Sequence, residues 1–185
     1  MNLSRRSRRE WRIILWIVLT SVPISAYFGY AVAAPCSGGG LSTGIALAVK
    51  GLSPSTSVHA GEPAGFDDLA RSLATGTKQK NDKLSGSICD ALLAPTPGDV
   101  TFPIAKHLLG PGLVVTDEEV LDAMETAFRE FKLVVEPGGA VALAAALTGK
   151  LAVKGRAVAV VCSGGNVDHA TFIRALEARH SSGAS

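Results

Sequence analysis

Residues 31–51 read AVAAPCSGGGLSTGIALAVKG, and the order of residue types in this stretch decides the fold. Ala31-Val32-Ala33-Ala34-Pro35 is short and apolar, Ser37-Gly38-Gly39-Gly40 is a polar glycine turn, and residues 41–49 form an apolar helical stretch closed by Gly51. This order predicts strand, loop and helix. After the Ser53-Pro54 turn, residues 56–60 resume as a strand, which completes a βαβ unit and therefore a parallel sheet.

Outward from that unit, a short helix is expected around residues 67–75, and the polar, Gly- and Lys-rich residues 76–86 read as a loop. Thr116 and Glu119 form a capping box ahead of Val120, Leu121, Met124, Ala127, Phe128 and Phe131, whose 3-4 spacing marks one buried helix face. Residues 140–147 are a second, apolar helix, entered by the Pro137-Gly138-Gly139 turn and ended at Gly149, so it is expected to pack inside. Residues 157–162 are a continuous β-prone run, as in a strand covered on both faces. A final helix over 168–178 covers it, followed by a tail at 181–185. The reading is one domain at 35–180, preceded by a basic and apolar segment at 1–34.

With 185 residues and 47% hydrophobic content, the chain can bury one compact core. The formal charge of +2 hides an asymmetry. Arg5, Arg6, Arg8, Arg9 and Arg12 against Glu10 put +4 in the first twelve residues, which leaves −2 for the rest. The body therefore has no nucleic-acid footprint; its one short basic run, Lys78, Lys80 and Lys83, reads as a solvated loop. Cys36, Cys89 and Cys162 show neither CxxC nor Cys/His zinc spacing, and they read as small buried apolar groups in a reducing compartment.

Residues 13–34 carry no charge and lie behind the arginines, long enough to span a bilayer. Ala31-Val32-Ala33 also resembles a secretory cleavage site. Against both stand Ser21, Pro23, Ser25, Tyr27, Gly29 and Tyr30 within the apolar run. Two readings stay open: a membrane or signal segment, or N-terminal sequence unrelated to the fold with residues 31–34 in a buried strand.

Four places suit chemistry. Backbone N–H groups of the 37–40 turn, at the positive end of a helix, converge on an anion such as a phosphate, although a glycine turn also serves as a tight turn alone. Ser163-Gly164-Gly165-Asn166 again follows a strand and precedes a helix, so both turns are expected at the carboxyl edge of one sheet. Glu136 ends an extended segment and enters the buried helix, where capping is its other role. Glu62 and Asp68, flanking Pro63 and Asp67, are either solvated acids or, with carbonyl oxygens, a hard divalent cation site.

Taken in order, Pro35-Cys36-Ser37-Gly38-Gly39-Gly40-Leu41, Glu62-Pro63, Glu136-Pro137-Gly138-Gly139 and Ser163-Gly164-Gly165-Asn166-Val167-Asp168 resemble the motifs of serine/threonine dehydratases and serine racemases. The resemblance covers residues 31–176, and SICDALLAPTPGDVTFP at 87–103 is especially similar to a bacterial dehydratase branch. It implies the tryptophan-synthase-β type α/β fold, fold type II of pyridoxal phosphate (PLP) enzymes, with a parallel sheet and flanking helices. It further implies that Ser37, Gly38, Gly39, Gly40 and Leu41 hold the PLP phosphate, that Ser163 faces the pyridine nitrogen and that Glu136 lies near the ring. Glu62, the Phe66 carbonyl and Asp68 match a Mg2+ or Ca2+ site. A neutral Ser163 hydroxyl, unlike an aspartate, does not keep the pyridine nitrogen protonated, which favours dehydration over transamination.

The sequence departs from the family in its lysines. The Schiff-base lysine of the family lies in a Ser-Phe-Lys type motif upstream of the glycine turn, and Lys50, Lys78, Lys80, Lys83, Lys106, Lys132, Lys150 and Lys154 are all downstream. The substrate-carboxylate loop is absent as well, so the expectation is most of a large lobe, truncated or mis-started at its N-terminus. The resemblance implies a cytoplasmic, homo-oligomeric enzyme of the catabolic type, without an appended ligand-sensing domain. Its substrate would be a small hydroxy amino acid, threonine or serine, with serine racemase or hydroxyaspartate dehydratase as the near alternative. From another class, the alternative is a non-catalytic phosphate-ligand module, membrane-tethered through 13–34.

Overall fold

The computed structural model of the protein describes residues 30–154 and 156–177. The membrane or signal reading falls on residues outside these up to position 29. Strand β1 (Tyr30–Pro35) runs into helix α1 (Gly40–Leu52), β2 (Ser57–Pro63) and α2 (Asp68–Thr75). A 3-10 turn at Asp90–Leu92 precedes α3 (Thr101–Leu108), β3 (Leu113–Val115), α4 (Asp117–Phe131), α5 (Pro137–Leu147), β4 (Ala157–Val160) and α6 (His169–Glu177). The expected parallel α/β architecture is what forms: a four-stranded sheet in the order β3-β2-β1-β4, each pair parallel.

Residues 31–35, read as a strand from the sequence although the domain boundary was set at 34/35, belong to β1, which joins the halves of the sheet. Val32 pairs with Val58 on one side and with Ala159 on the other. Ala31, Ala33 and Ala34 are accordingly buried. Among the described residues no helix is long and apolar enough to cross a membrane.

Both faces of the sheet are covered. On one face α5 packs against β1 and β2, backed by α4 and α6. Residues 137–146 of α5 are all buried, as the apolar run predicts. The close approach rests on small residues: a Cβ on Gly61 of β2 would come 3.0 Å from Val141 Cγ1 of α5. The other face carries α1, α2 and α3, with Phe102 and Ala105 of α3 packed against Cys36, Ala60 and Leu69.

The capping box of α4 is complete. Thr116 Oγ1 accepts from Glu119 N at 3.3 Å, and Glu119 Oε2 accepts from Thr116 N at 2.8 Å. Val120, Leu121, Met124 and Ala127 are buried, whereas Phe128 is partly exposed and meets Phe172 of α6 edge to face at 5.4 Å. Helix α3 and the three-residue β3 were not read from the sequence. Pro103 is tolerated in α3 because it sits in the first turn, where a missing N–H costs no intrahelical bond.

Two substitutions separate local from tertiary stabilisation. Thr116→Ala removes one cap bond and is expected to cost about 1 kcal/mol. Gly61→Val forces α5 off the sheet and is expected to cost about 1–3 kcal/mol. Urea denaturation of both variants checks the order.

Candidate functional site at the carboxyl edge of the sheet

The chain runs from β1 through β2 to β3 on one side of the sheet, and β4 is added on the other. The crevice between β1 and β4 is thus the topological switch point, where ligands of open α/β sheets bind. Helix α1, leaving β1, packs with α3, and α6, leaving β4, packs with α4, on the opposite face. The two turns anticipated from the glycines open at this crevice. Ala33 pairs with Val160, and Val161 N donates to Ala33 O at 2.9 Å, so the two turns leave from the carboxyl ends of neighbouring strands. Adjacent strands lie about 4.8 Å apart.

At the 37–40 turn, Gly39 takes a left-handed φ of 92° and is the N-cap of α1. The glycine spares a side chain that would be strained there. No side chain caps α1 and no acidic residue lies in its first turn, so its N-terminal N–H groups keep their positive end. A Cβ on Gly38 or Gly40 would meet nothing within 4 Å, and Leu41 is 47% exposed. The turn therefore presents backbone donors, not side chains, toward open space.

The second turn is held by Glu136. Glu136 N donates to Gly164 O at 3.0 Å, and Glu136 Oε2 accepts from Asn166 N at 3.0 Å. A Cβ on Gly164 would overlap the Glu136 carboxylate, which explains a glycine at that place. Glu136 is also the N-cap of α5, with no cap bond from its side chain. The carboxylate is thus brought to the 163–166 turn instead of closing its own helix, while Ser163 is exposed at the edge.

Glu62 lies at the same edge of β2 and is fully buried. Its Oε1 accepts from Leu69 N at 3.0 Å and its Oε2 from Ala70 N at 2.7 Å, so it closes the N-terminal turn of α2. Burial pushes its pKa up to about 8, the Ala70 N–H opposes this, and the charge of Asp68 adds to it. Burial also raises the Asp68 pKa. Asp68 Oδ1 accepts from Asn81 Nδ2 at 2.6 Å, while the buried Oδ2 has no hydrogen-bond partner. Two buried, coupled carboxylates with one unpartnered oxygen are a donor set of hard oxygens that suits a hard cation. Among the described residues no group of three or more His, Cys, Asp or Glu has metal-site geometry.

Sequence reasoning missed Asn81, Gly98 and Thr101. Asn81 Oδ1 accepts from Arg71, its side-chain amide also reaches Ala94 O, and its N–H reaches Pro95 O, which fixes the loop beside Asp68. Gly98 and Thr101 meet the 37–40 turn across the fold. Gly98 and Thr101 lie in the 87–103 stretch singled out for its resemblance, but nothing local marks their contact with the 37–40 turn.

The lysines stand elsewhere. Lys50, Lys106 and Lys132 donate to backbone carbonyls, Lys78 and Lys150 pair with Asp99 and Glu119, and Lys80, Lys83 and Lys154 are exposed. Burial also favours the protonated form of the three thiols. Burial, followed by the charge of Glu62, pushes the Cys36 pKa up to about 12; burial likewise pushes Cys89 to about 12 and raises Cys162.

Fold and site thus define an α/β protein whose parallel sheet presents a glycine turn at the N-terminus of a helix and a carboxylate-braced turn at its switch point. The chain belongs to a family described as "Pyridoxal-phosphate dependent enzyme", whose sequence model matches residues 28–164. It is 40% identical over 139 residues to "Serine racemase" of Oryza sativa subsp. indica, covering 72% of this chain and 40% of that protein. It is 35% identical over 137 residues to "L-threonine ammonia-lyase" of Thermotoga maritima, covering 74% of this chain and 34% of that protein. The crystal structure of a T.th. threonine deaminase superposes with a TM-score of 0.71 at 40% identity, covering 75% of this chain and 50% of that one. The chain spans half or less of the length of these relatives. The fold is that of fold type II PLP enzymes.

Alkylation of the native protein is expected to label Cys162 first, since it alone of the three is only partly buried. Cys36 and Cys89 are expected to react on the order of a hundredfold or more slower than in denaturant. Mass spectrometry of the labelled peptides checks this, and equal rates for all three would contradict the assigned environments.

Proposed function

We propose that this chain supplies the phosphate-holding side of a PLP-dependent β-elimination site that converts threonine or serine to a 2-oxo acid and ammonia. The observation that carries the reading is the pairing of β1 with β4, which sets the 37–40 turn beside the Glu136-braced 163–166 turn. When bound, PLP supplies the electron sink that lets a β-hydroxyl leave, and the released enamine hydrolyses to the 2-oxo acid and ammonia.

This chain's own residues would act as follows. The N–H groups of Gly38, Gly39 and Gly40, with the Ser37 hydroxyl, hold the phosphate at the positive end of α1, and Leu41 borders it. The Ser163 hydroxyl would meet the pyridine nitrogen as a neutral partner that does not keep it protonated, which would favour elimination. Glu136 keeps the 163–166 turn in place beside the ring. None of the eight lysines stands at these turns, so the amine that covalent catalysis requires comes from another segment. The likeness to a serine racemase supports racemisation of serine as the second outcome of the same site.

The test has two stages. The chain incubated with PLP and reduced with borohydride is expected to show no single stoichiometrically modified lysine and no 2-oxobutanoate from threonine. One stoichiometric site with turnover would overturn this part of the reading. Adding the N-terminal lobe of a threonine ammonia-lyase as a separate polypeptide is expected to restore turnover, which Gly40→Asp abolishes and Ser163→Asp lowers at least tenfold. PLP binding without turnover would make the chain a phosphate-ligand module instead, and D-serine formation would favour the racemase.

A divalent cation at Glu62, the Phe66 carbonyl and Asp68 belongs to the same proposal, supported by the unpartnered Asp68 Oδ2. A cation must displace the proton that Glu62 holds below about pH 8, so its affinity falls as the pH drops from 8 to 6. Millimolar Mg2+ or Ca2+ is therefore expected to raise Tm more at pH 8 than at pH 6. Equal shifts in Glu62→Gln and Asp68→Asn would remove the metal from this site.

A further inference from the structure

We propose that Thr101 is a positioning residue for the anion-binding turn: its hydroxyl, with the Gly98 N–H, pins the Gly38 carbonyl inward and thereby aims the Gly39 N–H at the ligand. The proposal rests on the reading above that the 37–40 turn receives the phosphate.

Gly38 O accepts from Gly98 N at 3.0 Å and from Thr101 Oγ1 at 2.6 Å. The Thr101 hydroxyl also lies 3.3 Å from Gly98 O, but its single proton goes to the shorter contact. The Gly38–Gly39 peptide bond is trans, since the described chain has no cis bond, and in a trans peptide C=O and N–H point in opposite directions. A carbonyl held toward α3 therefore turns the Gly39 N–H to the far side.

Glycine makes this orientation insecure without a brace. With no Cβ at residues 38, 39 or 40, the peptide can rotate at little steric cost. A rotated peptide would present the Gly38 oxygen to an anion and replace attraction with repulsion. The brace itself is firmly mounted: Phe102 and Ala105 of α3 are buried against Cys36, Ala60 and Leu69. The close approach also accounts for two glycines. A Cβ on Gly39 would come 2.9 Å from Thr101 Oγ1, and one on Gly98 would come 2.8 Å from that oxygen and 3.1 Å from Gly38 O.

The experiment compares binding of PLP and of pyridoxal, which lacks the phosphate, to the full chain and its variants. Thr101→Val keeps the shape and removes the hydroxyl, Thr101→Ser keeps the hydroxyl, and Gly40→Asp puts a negative charge into the open side of the turn. Thr101→Val is expected to weaken PLP about tenfold while leaving pyridoxal unchanged, with Thr101→Ser within about twofold of the parent. In 15N spectra the phosphate-induced shift of the Gly39 amide is expected to vanish in Thr101→Val and to persist in Thr101→Ser. Where Thr101→Val does not fold, Thr101→Ala is read by the same criteria.

PLP binding within about twofold of the parent in the hydroxyl-free variant overturns the brace, as does an equal loss for PLP and pyridoxal. If Gly40→Asp abolishes PLP binding while the Thr101 variants do not matter, the brace alone fails. If Gly40→Asp leaves PLP binding intact, or the parent binds PLP no better than pyridoxal, the phosphate reading of the turn fails with it.

Discussion

Parallel pairing of β1 with β2 on one side and β4 on the other is the constraint on which the rest of the structure depends. Parallel strands place their carboxyl ends at one edge, so the turn leaving each strand is delivered to a common surface. Through this register the 37–40 turn, Glu62 and the 163–166 turn share that edge, although they come from distant parts of the chain. Burial of β1 from both faces requires a helix layer on each side, and the run of alanines and glycines in α5 lets one of these layers sit close to the sheet.

Polar groups buried near this edge are organised by the same layering. Glu62 is accommodated because its oxygens meet the first N–H groups of α2, the positive end of a helix. Asn81 secures Asp68 and the loop over it through four hydrogen bonds to Asp68, Ala94, Pro95 and Arg71. On α4, the buried Glu125 pairs with Arg129 Nε at 2.8 Å, so its charge is met at the surface of the outer helix layer. Of the carboxylates at this edge, Glu62 and Asp68 are buried and raised in pKa, Glu136 is committed to another turn, and the exposed Asp99 pairs with Lys78. No side chain caps the N-terminus of α1 and no acidic residue lies in its first turn.

The sheet also explains why two motifs that look alike behave differently. The 37–40 turn leads directly into α1 and offers backbone donors, while the 163–166 turn is anchored from the side by a carboxylate and by the Glu136 N–H. One ends in free backbone donors, while the other is held in position by the residue that caps α5. A cofactor with a phosphate at one end and a heterocycle at the other fits that division of labour.

The sequence by itself determined what neighbouring residues can encode. The strand-glycine-helix order of residues 31–51, the Thr116 and Glu119 capping box, the apolar α5 and the β-prone run at 157–162 are short-range patterns, and each yields its expected element, the last as a strand shortened to Ala157–Val160. The motifs that mark the family are equally local. Only the tertiary structure decided that residues 30–34 lie between two partner strands, because apolar character suits a leader and a buried strand alike. Only it supplied β3, whose three residues are too few for a period, and α3, whose Pro103 argues against a helix until its first-turn position is known. The same holds for Thr101 against Gly38, sixty-three residues apart. A hydroxyl is an anonymous donor in sequence, and what it orients is set by the packing that carries it across the fold.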